Sequence, residues 1–170
     1  MQKTALTAIG VSLFVAALLQ GALAGAAPPR VSCVIWNPNN AGVPHETYDG
    51  KQVTLKGTAH DPDGDTELTT GGTYQWDPGD GSAAYTGAVT DPYAIEAQHT
   101  YTGAVGDLFV ATLTVTDSTG AFGTDTYLVE INENDLPTQV NIAIDEGLWN
   151  LHKQQTRATY ARAVEQGYWS

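Results

Sequence analysis

The sequence predicts an all-β protein, an antiparallel sandwich that gives way near its end to a helical extension. Three observations carry this. Short runs of alternating polar and apolar residues are separated by Asp, Gly, Pro and Ser clusters up to about Ile131. One of them, Leu108 to Thr116, alternates without a break. Beyond Pro137 the apolar period changes from two to three and four.

The elements follow in order. Gln52-Val53-Thr54-Leu55-Lys56 alternates, and Gly57 to Ala59 continue it with small residues. His60-Asp61-Pro62-Asp63-Gly64-Asp65 then breaks the run, because Asp bonds to its own backbone two residues on and Gly accepts positive φ. Thr73 to Trp76 is a second strand, stopped by Pro78, which has no N–H for a ladder bond. In Leu108 to Thr116, Phe109, Ala111, Leu113 and Val115 share one face, and Val110, Thr112, Thr114 and Thr116 the other. Ser118-Thr119-Gly120 turns the chain, and Thr124 to Ile131 returns with Tyr127, Val129 and Ile131 on one face. Past Pro137, Val140, Ile144, Leu148 and Leu151 make a helical stripe, with Thr138 the expected N-cap. Tyr160, Ala163, Val164 and Gly167 predict a second short helix ending at Tyr168-Trp169. Two short helices cannot close a core of their own, so this tail is expected to pack on something.

Residues 1–26 read as a secretory signal peptide, which places the protein outside the cell, secreted or at the cell surface. Lys3 starts it, Ala5 to Ala24 form its apolar run, and Ala22-Leu23-Ala24 and Ala24-Gly25-Ala26 are cleavage sites. A membrane anchor fits less well, since small residues and Pro28-Pro29 end the run. A lipid anchor at Cys33 is rejected, because Arg30-Val31-Ser32 precedes it where a Leu-x-small triplet belongs. The chain after Ala26 carries six basic and nineteen acidic residues, which disfavours nucleic acid and anionic membranes as partners. Apart from Asp135, the excess lies in Arg30–Glu133, with three basic and fifteen acidic residues, while Leu136–Ser170 is balanced at three of each. A lone cysteine in an apolar run, Val31 to Trp36, reads as a buried thiol, so stability must come from a hydrophobic core.

Tyr74-Gln75-Trp76-Asp77-Pro78-Gly79-Asp80-Gly81-Ser82, then His99-Thr100-Tyr101, then Leu113-Thr114-Val115-Thr116-Asp117 stand in a telling order. Together they resemble the core signature of the PKD domain, an immunoglobulin-like extracellular β-sandwich, over about Val31 to Ile131. The resemblance implies that Trp76 fills the centre of the sandwich and that the Asp-Gly turn caps the adjoining strand. By it Tyr74, Trp76, His99 and Tyr101 are core and corner residues rather than a sugar-stacking platform. Pro78 departs from the pattern, which commonly has an aromatic residue there, and puts the packing under the turn in question.

Two acidic stretches are candidate calcium sites. Asp61, Asp63 and Asp65 place carboxylates at alternate positions, as a hard cation needs. The EF-hand pattern fails, since its glycine belongs one place after Gly64 and Gly72 stands where a glutamate should. A plain turn between strands explains the same residues and is the simpler reading. Glu130, Asn132, Asn134 and Asp135 before Pro137 look like the calcium-binding linker of cadherins, with the spacing off by one. Sandwich arrays also end in such a segment with no metal.

In the tail, Ala143-Ile144 with Gly147-Leu148, Leu151 and Gln155, then Gly167-Tyr168-Trp169, is weakly similar to one α/α-toroid repeat of terpenoid cyclases and prenyltransferases. One repeat cannot close a barrel. Either the chain leads into a longer protein or the segment is an amphipathic extension that docks. Catalytic patterns are missing: His45, His60, His99 and His152 lack metal spacing, and no nucleophile-elbow, phosphate-loop or dinucleotide motif occurs. Leu136-Pro137-Thr138-Gln139 reads as linker.

The sequence thus divides into a leader (1–26), a PKD-like immunoglobulin-like sandwich (27–134), a linker (135–139) and a helical extension (140–170). The expected function is a non-catalytic module for protein or carbohydrate binding, adhesion or spacing, with calcium the one candidate cofactor. An accessory domain of a larger secreted enzyme or toroid protein is the first alternative. A self-assembling structural subunit is the second.

Overall fold

The computed structural model describes residues 25–33, 43–159 and 165–168, with side chains described as far as Gln155. The expected leader lies almost wholly outside the described residues, as do Val34 to Trp36, Tyr160, Ala163, Val164 and Trp169. Among the described residues no helix is long and apolar enough to cross a membrane.

Two sheets make an immunoglobulin-like sandwich. The smaller has the order β1 (Arg30–Ser32), β3 (Gln52–His60), β6 (Ile95–Thr100), antiparallel throughout. The larger has the order β2 (His45–Tyr48), β8 (Phe122–Asn132), β7 (Leu108–Thr116), β4 (Thr73–Asp77), β5 (Tyr85–Ala88). One pair departs from the expected antiparallel plan: β2 runs parallel to β8, with His45 opposite Val129. A long crossover permits this, since no hairpin turn joins those two strands.

Period-two alternation decides which side chains meet between the sheets. On β7, Ala111, Leu113 and Val115 are fully buried while Val110 faces out. Tyr127, Val129 and Ile131 of β8 and Leu55 of β3 join them. Each such aliphatic side chain contributes about 1.5–3 kcal/mol by leaving water. Trp76 of β4 is fully buried and meets the Tyr127 ring edge-on at 6.0 Å. A Cβ at Gly57 would lie 2.3 Å from Leu113 Cδ2, so glycine is what lets β3 come this close.

The expected core assignments can be placed one by one. Trp76 and Tyr101 are fully buried, His99 is buried, and Tyr74 is half-buried at the core margin. Pro78 is itself buried, and its carbonyl accepts from Tyr101 Oη at 2.9 Å. Tyr101 stacks on Phe109 with centroids 4.7 Å apart, so these two rings fill the space under the turn. Cys33 is buried, and burial, reinforced by Asp125, holds its thiol far above the usual range.

A short helix, α1 (Thr66–Thr69), interrupts the loop between β3 and β4 and buries Leu68. The long helix α2 (Leu136–Lys153) is separated from β8 by three residues, so positions 135–139, read as linker, become its cap and first turn. Asp135 rather than Thr138 is the N-cap: its carboxylate accepts from the Thr138 N–H at 3.0 Å. Pro137 explains the shift, because a proline fits the first turn of a helix, where its missing N–H is no loss. After α2, β9 (Thr156–Thr159) and β10 (Glu165–Tyr168) pair antiparallel, which corrects the expected second helix where it is described, at Gly167 and Tyr168. Gly167 is a poor helix former, and it pairs with Arg157 in the ladder.

Candidate functional site

Asp61 closes β3, Glu67 lies in α1 and Asp117 follows β7; the fold brings their carboxylates together. One oxygen from each lies within 4.8 Å of the other two. Asp61 and Asp117 are 1% and 4% exposed, and Glu67 is half-buried. The two aspartates divide their oxygens in the same way. Asp61 Oδ1 accepts from the Asp63 N–H at 2.8 Å, and Asp117 Oδ1 accepts from Thr119 N at 2.8 Å, Thr119 Oγ1 at 2.7 Å and Ala121 N at 3.0 Å. Their Oδ2 atoms, and Oε2 of Glu67, are buried with no hydrogen-bond partner. The loops that carry them are tied by Ser118 N–H donating to the Glu67 carbonyl at 3.0 Å.

Electrostatics follow from this crowding. Burial first, then the carboxylates of Asp61, Asp117 and Asp63, hold the Glu67 carboxyl above the usual range. Burial also opposes ionisation of Asp117, but the bonds from Thr119 and Ala121 outweigh it and keep that carboxyl below its usual range.

Only Asp61 of the expected Asp61, Asp63, Asp65 set points into this cluster. Asp65 spends Oδ1 on His60 Nδ1 at 2.9 Å and Asp61 N–H at 2.8 Å, and Oδ2 on Tyr93 Oη at 2.6 Å. Asp63 Oδ2 accepts from Ala27 N–H at 2.6 Å. The boundary set is likewise occupied locally. Asp135 caps α2, Asn134 Oδ1 accepts from Gln139 Nε2 at 2.8 Å, and Glu130 and Asn132 lie in the β8 ladder. Among the described residues no group of three metal-binding side chains forms there. Glu67 and Asp117 were the residues that spacing missed.

The second notable surface is α2. It docks through a polar face: Thr138, Ile142, Asp145, Trp149 and His152 recur at four and three residues and are buried or half-buried. Lys56, 3% exposed on β3, pairs with Asp145 and with Glu146 at 3.0 Å. His45, stacked on Tyr127 at 3.9 Å, reaches Asp145 at 3.3 Å. Trp149 Nε1 donates to Glu96, which Lys153 also pairs with at 2.8 Å, and His152 Nε2 bonds the Tyr93 carbonyl at 2.9 Å. Leu136, Val140, Ile144, Leu148 and Leu151 lie on the opposite face, each at least 40% exposed. The apolar stripe read from the sequence therefore faces away from the sandwich.

A third feature is a shallow depression of about 400 Å³ on the outer face of the large sheet, lined by Thr73, Tyr74, Gln75, Thr86, Gly87, Thr114 and Thr116. Of the rings expected in the core, Trp76 and Tyr101 are buried away from it, whereas Tyr74 is part of its lining.

Fold and motif define the class: a PKD-like, immunoglobulin-like β-sandwich domain, with Trp76 at its centre and the Asp77–Ser82 turn at one end. No protein-family model matches the sequence, and no curated protein sequence matches it either. Among solved structures, the chain is similar to the PKD1 domain of Vibrio anguillarum Epp, at 23% identity and a TM-score of 0.41, over 63% of this chain and 96% of that one. It is similar to the PKD domain of the human VPS10 domain-containing receptor SorCS2, at 20% identity and a TM-score of 0.41, over 79% and 98%. A third likeness is to a structure of carbohydrate-binding modules from the β-sandwich superfamily, at 21% identity and a TM-score of 0.42, over 64% of this chain and 36% of that one.

Proposed function

We propose that this chain is a non-catalytic extracellular module for binding, adhesion or spacing, and that it engages a protein partner through the outer face of α2. The observation that carries this is the ridge Leu136, Val140, Ile144, Leu148, Leu151, left in water on a helix held firmly by its other face. Exposed apolar stripes of this kind cost solubility and mark contact surfaces. An apolar cleft in another protein fits them, as amphipathic helices generally seat in grooves through residues at such spacing. A protein partner is favoured over a carbohydrate, because the exposed ridge is aliphatic and carries no ring to stack on a sugar.

The test is to replace Ile144 by the photocrosslinker p-benzoylphenylalanine in the chain exported by its own cells. Capture of a distinct protein, abolished by Val140→Ser with Leu148→Ser, is the expected result. Capture of a second copy alone would move the reading to a self-assembling subunit. Glycan binding that survives the serine changes, with no ridge-dependent capture, would move it to a carbohydrate module. The accessory-domain reading rests on the same ridge, which a following domain would cover; coding sequence continuing in frame past Ser170 into helical repeats would favour it.

A further inference from the structure

We propose that Tyr85 is a site of one-electron oxidation and phenol coupling, served by an oxidant of the haem-peroxidase class, with His99 as the base that takes the phenol proton. The three side chains involved come from both sheets and a turn: Tyr85 from β5, His99 from β6 and Asp80 from the segment after β4. Tyr85 Oη bonds His99 Nδ1 at 2.9 Å, and His99 Nε2 bonds Asp80 Oδ2 at 2.8 Å. A carboxylate can only accept, so Nε2 carries the ring hydrogen, and Nδ1 of the neutral ring accepts the phenol O–H. A phenol that loses an electron becomes a strong acid, and a base already bonded to it takes the proton without any rearrangement. The imidazolium so formed lies beside the Asp80 carboxylate, which Ser82 Oγ at 2.6 Å and Ser82 N–H at 2.9 Å hold in place.

Exposure singles out the same residue. Among the tyrosines whose side chains are described, Tyr85 alone is exposed, at 37%. It stands on β5, an edge strand with β4 on one side, so a second ring can approach. Tyr101 and Tyr127 are buried and donate to the carbonyls of Pro78 and Thr54, which take no proton. Tyr93 is half-buried and donates to Asp65 at 2.6 Å, and a carboxylate is ordinarily a weaker base than an imidazole. The reaction balances as follows for two phenols. Each gives an electron to the oxidant and its O–H proton to a base, and the two radicals join through ring carbons beside the oxygens. The hydrogen on each joined carbon then moves to its own oxygen, which restores both phenols. The net loss of two electrons and two protons converts one hydrogen peroxide into two waters. The inference is independent of what α2 contacts.

The test treats the exported chain with a haem peroxidase, hydrogen peroxide and the small phenol tyramide, and maps the adducts by peptide mass spectrometry. Tyramide is expected on Tyr85 well ahead of Tyr48, Tyr74 and Tyr93. Omitting tyramide separates two sources of the second phenol: a dimer cross-linked through Tyr85 means that another copy supplies it, and tyramide addition without such a dimer means that a free phenol does. His99→Gln, shown to fold by its melting transition, is expected to lower the yield at Tyr85 roughly tenfold and to leave Tyr93 as it was. A reading that needs no variant of the relay is electron paramagnetic resonance of the freeze-quenched parent. Its main radical is expected to show the g-shift of a phenoxyl oxygen hydrogen-bonded to a cation, and Tyr85→Phe to lose it. Adducts chiefly at another tyrosine, or a main radical that persists in Tyr85→Phe, would overturn the proposal. So would an undiminished yield at Tyr85 in a folded His99→Gln chain, since exposure alone would then govern the reaction.

Discussion

The indole Nε1 of Trp76, on β4, donates to the carbonyl of Ile95, on β6, at 3.3 Å, so a side chain from one sheet is anchored on the backbone of the other. The ring behind that bond is fully buried. Replacing it with alanine removes both the bond and the largest side chain of the core. Trp76→Ala is expected to lose about 3–5 kcal/mol in urea unfolding. Trp76→Phe, which keeps part of the apolar contact, should fall between. A Trp76→Ala protein with the parent's midpoint would contradict the central role of this ring.

Acid should weaken the corner beside it. Burial pushes the Asp80 carboxyl up, but bonds from Ser82 Oγ and N–H and from His99 Nε2 at 2.8 Å prevail and hold it at about 2. A carboxylate held below its unfolded value of about 3.9 stabilises the fold above that pH. This contribution is lost as pH falls through 4 towards 2. Asp80→Asn should therefore flatten the acid limb of a stability–pH curve between those values. The two curves should run together at the acid end. An unchanged slope in that window would show that the Asp80 bonds contribute nothing to folding.

The α2 anchor makes an asymmetric prediction. Lys56 is almost wholly enclosed, whereas Asp145 and Glu146 are 28% and 39% exposed. Removing both carboxylates strands a buried ammonium, while removing the lysine leaves two anions that water can reach. Asp145→Ala with Glu146→Ala should destabilise more than Lys56→Met and speed amide exchange through Leu136–Lys153 more. Equal effects from the two changes would argue against a buried charge as the cause.

The Asp-Gly turn can be probed by two glycines of similar backbone. Gly79 and Gly81 have φ of 79° and 86°, so alanine is strained at both. At Gly79 the added carbon would also lie 2.1 Å from the Val110 carbonyl oxygen, whereas at Gly81 it meets open space. Gly79→Ala should lower Tm well beyond Gly81→Ala. Matching losses would mean that β7 can move away from the turn at little cost.

Much of this architecture was legible in local chemistry. Leu108–Thr116 is strand β7 residue for residue, with Leu113 and Val115 buried as the alternation requires. Trp76 lies at the centre because its strand is short, alternating and closed by turn residues. The acidic cluster was harder to read. Asp61 stood out, but its true neighbours are Glu67, hidden in a four-residue helix, and Asp117, which only the pairing of Thr73 with Thr116 brings near the loop. Local spacing carries no trace of such a juxtaposition. Helix α2 misled for a different reason. Its apolar stripe has the spacing of a core face, yet Lys56 and Glu96 lie in register on the outer surface of the β3–β6 pair, and charged side chains there select a polar docking face.

The parallel pairing of β2 with β8 has a mechanical corollary. His45 to Tyr48 lie alongside Val129 to Asn132, running the same way along the sheet edge. A pull entering before His45 and leaving after Asn132 acts along both strands in opposite senses. The ladder between them is then loaded in shear, with its hydrogen bonds strained together rather than unzipped one after another. The same edge that departs from the antiparallel plan is thus the one oriented to resist stretching of the module end to end.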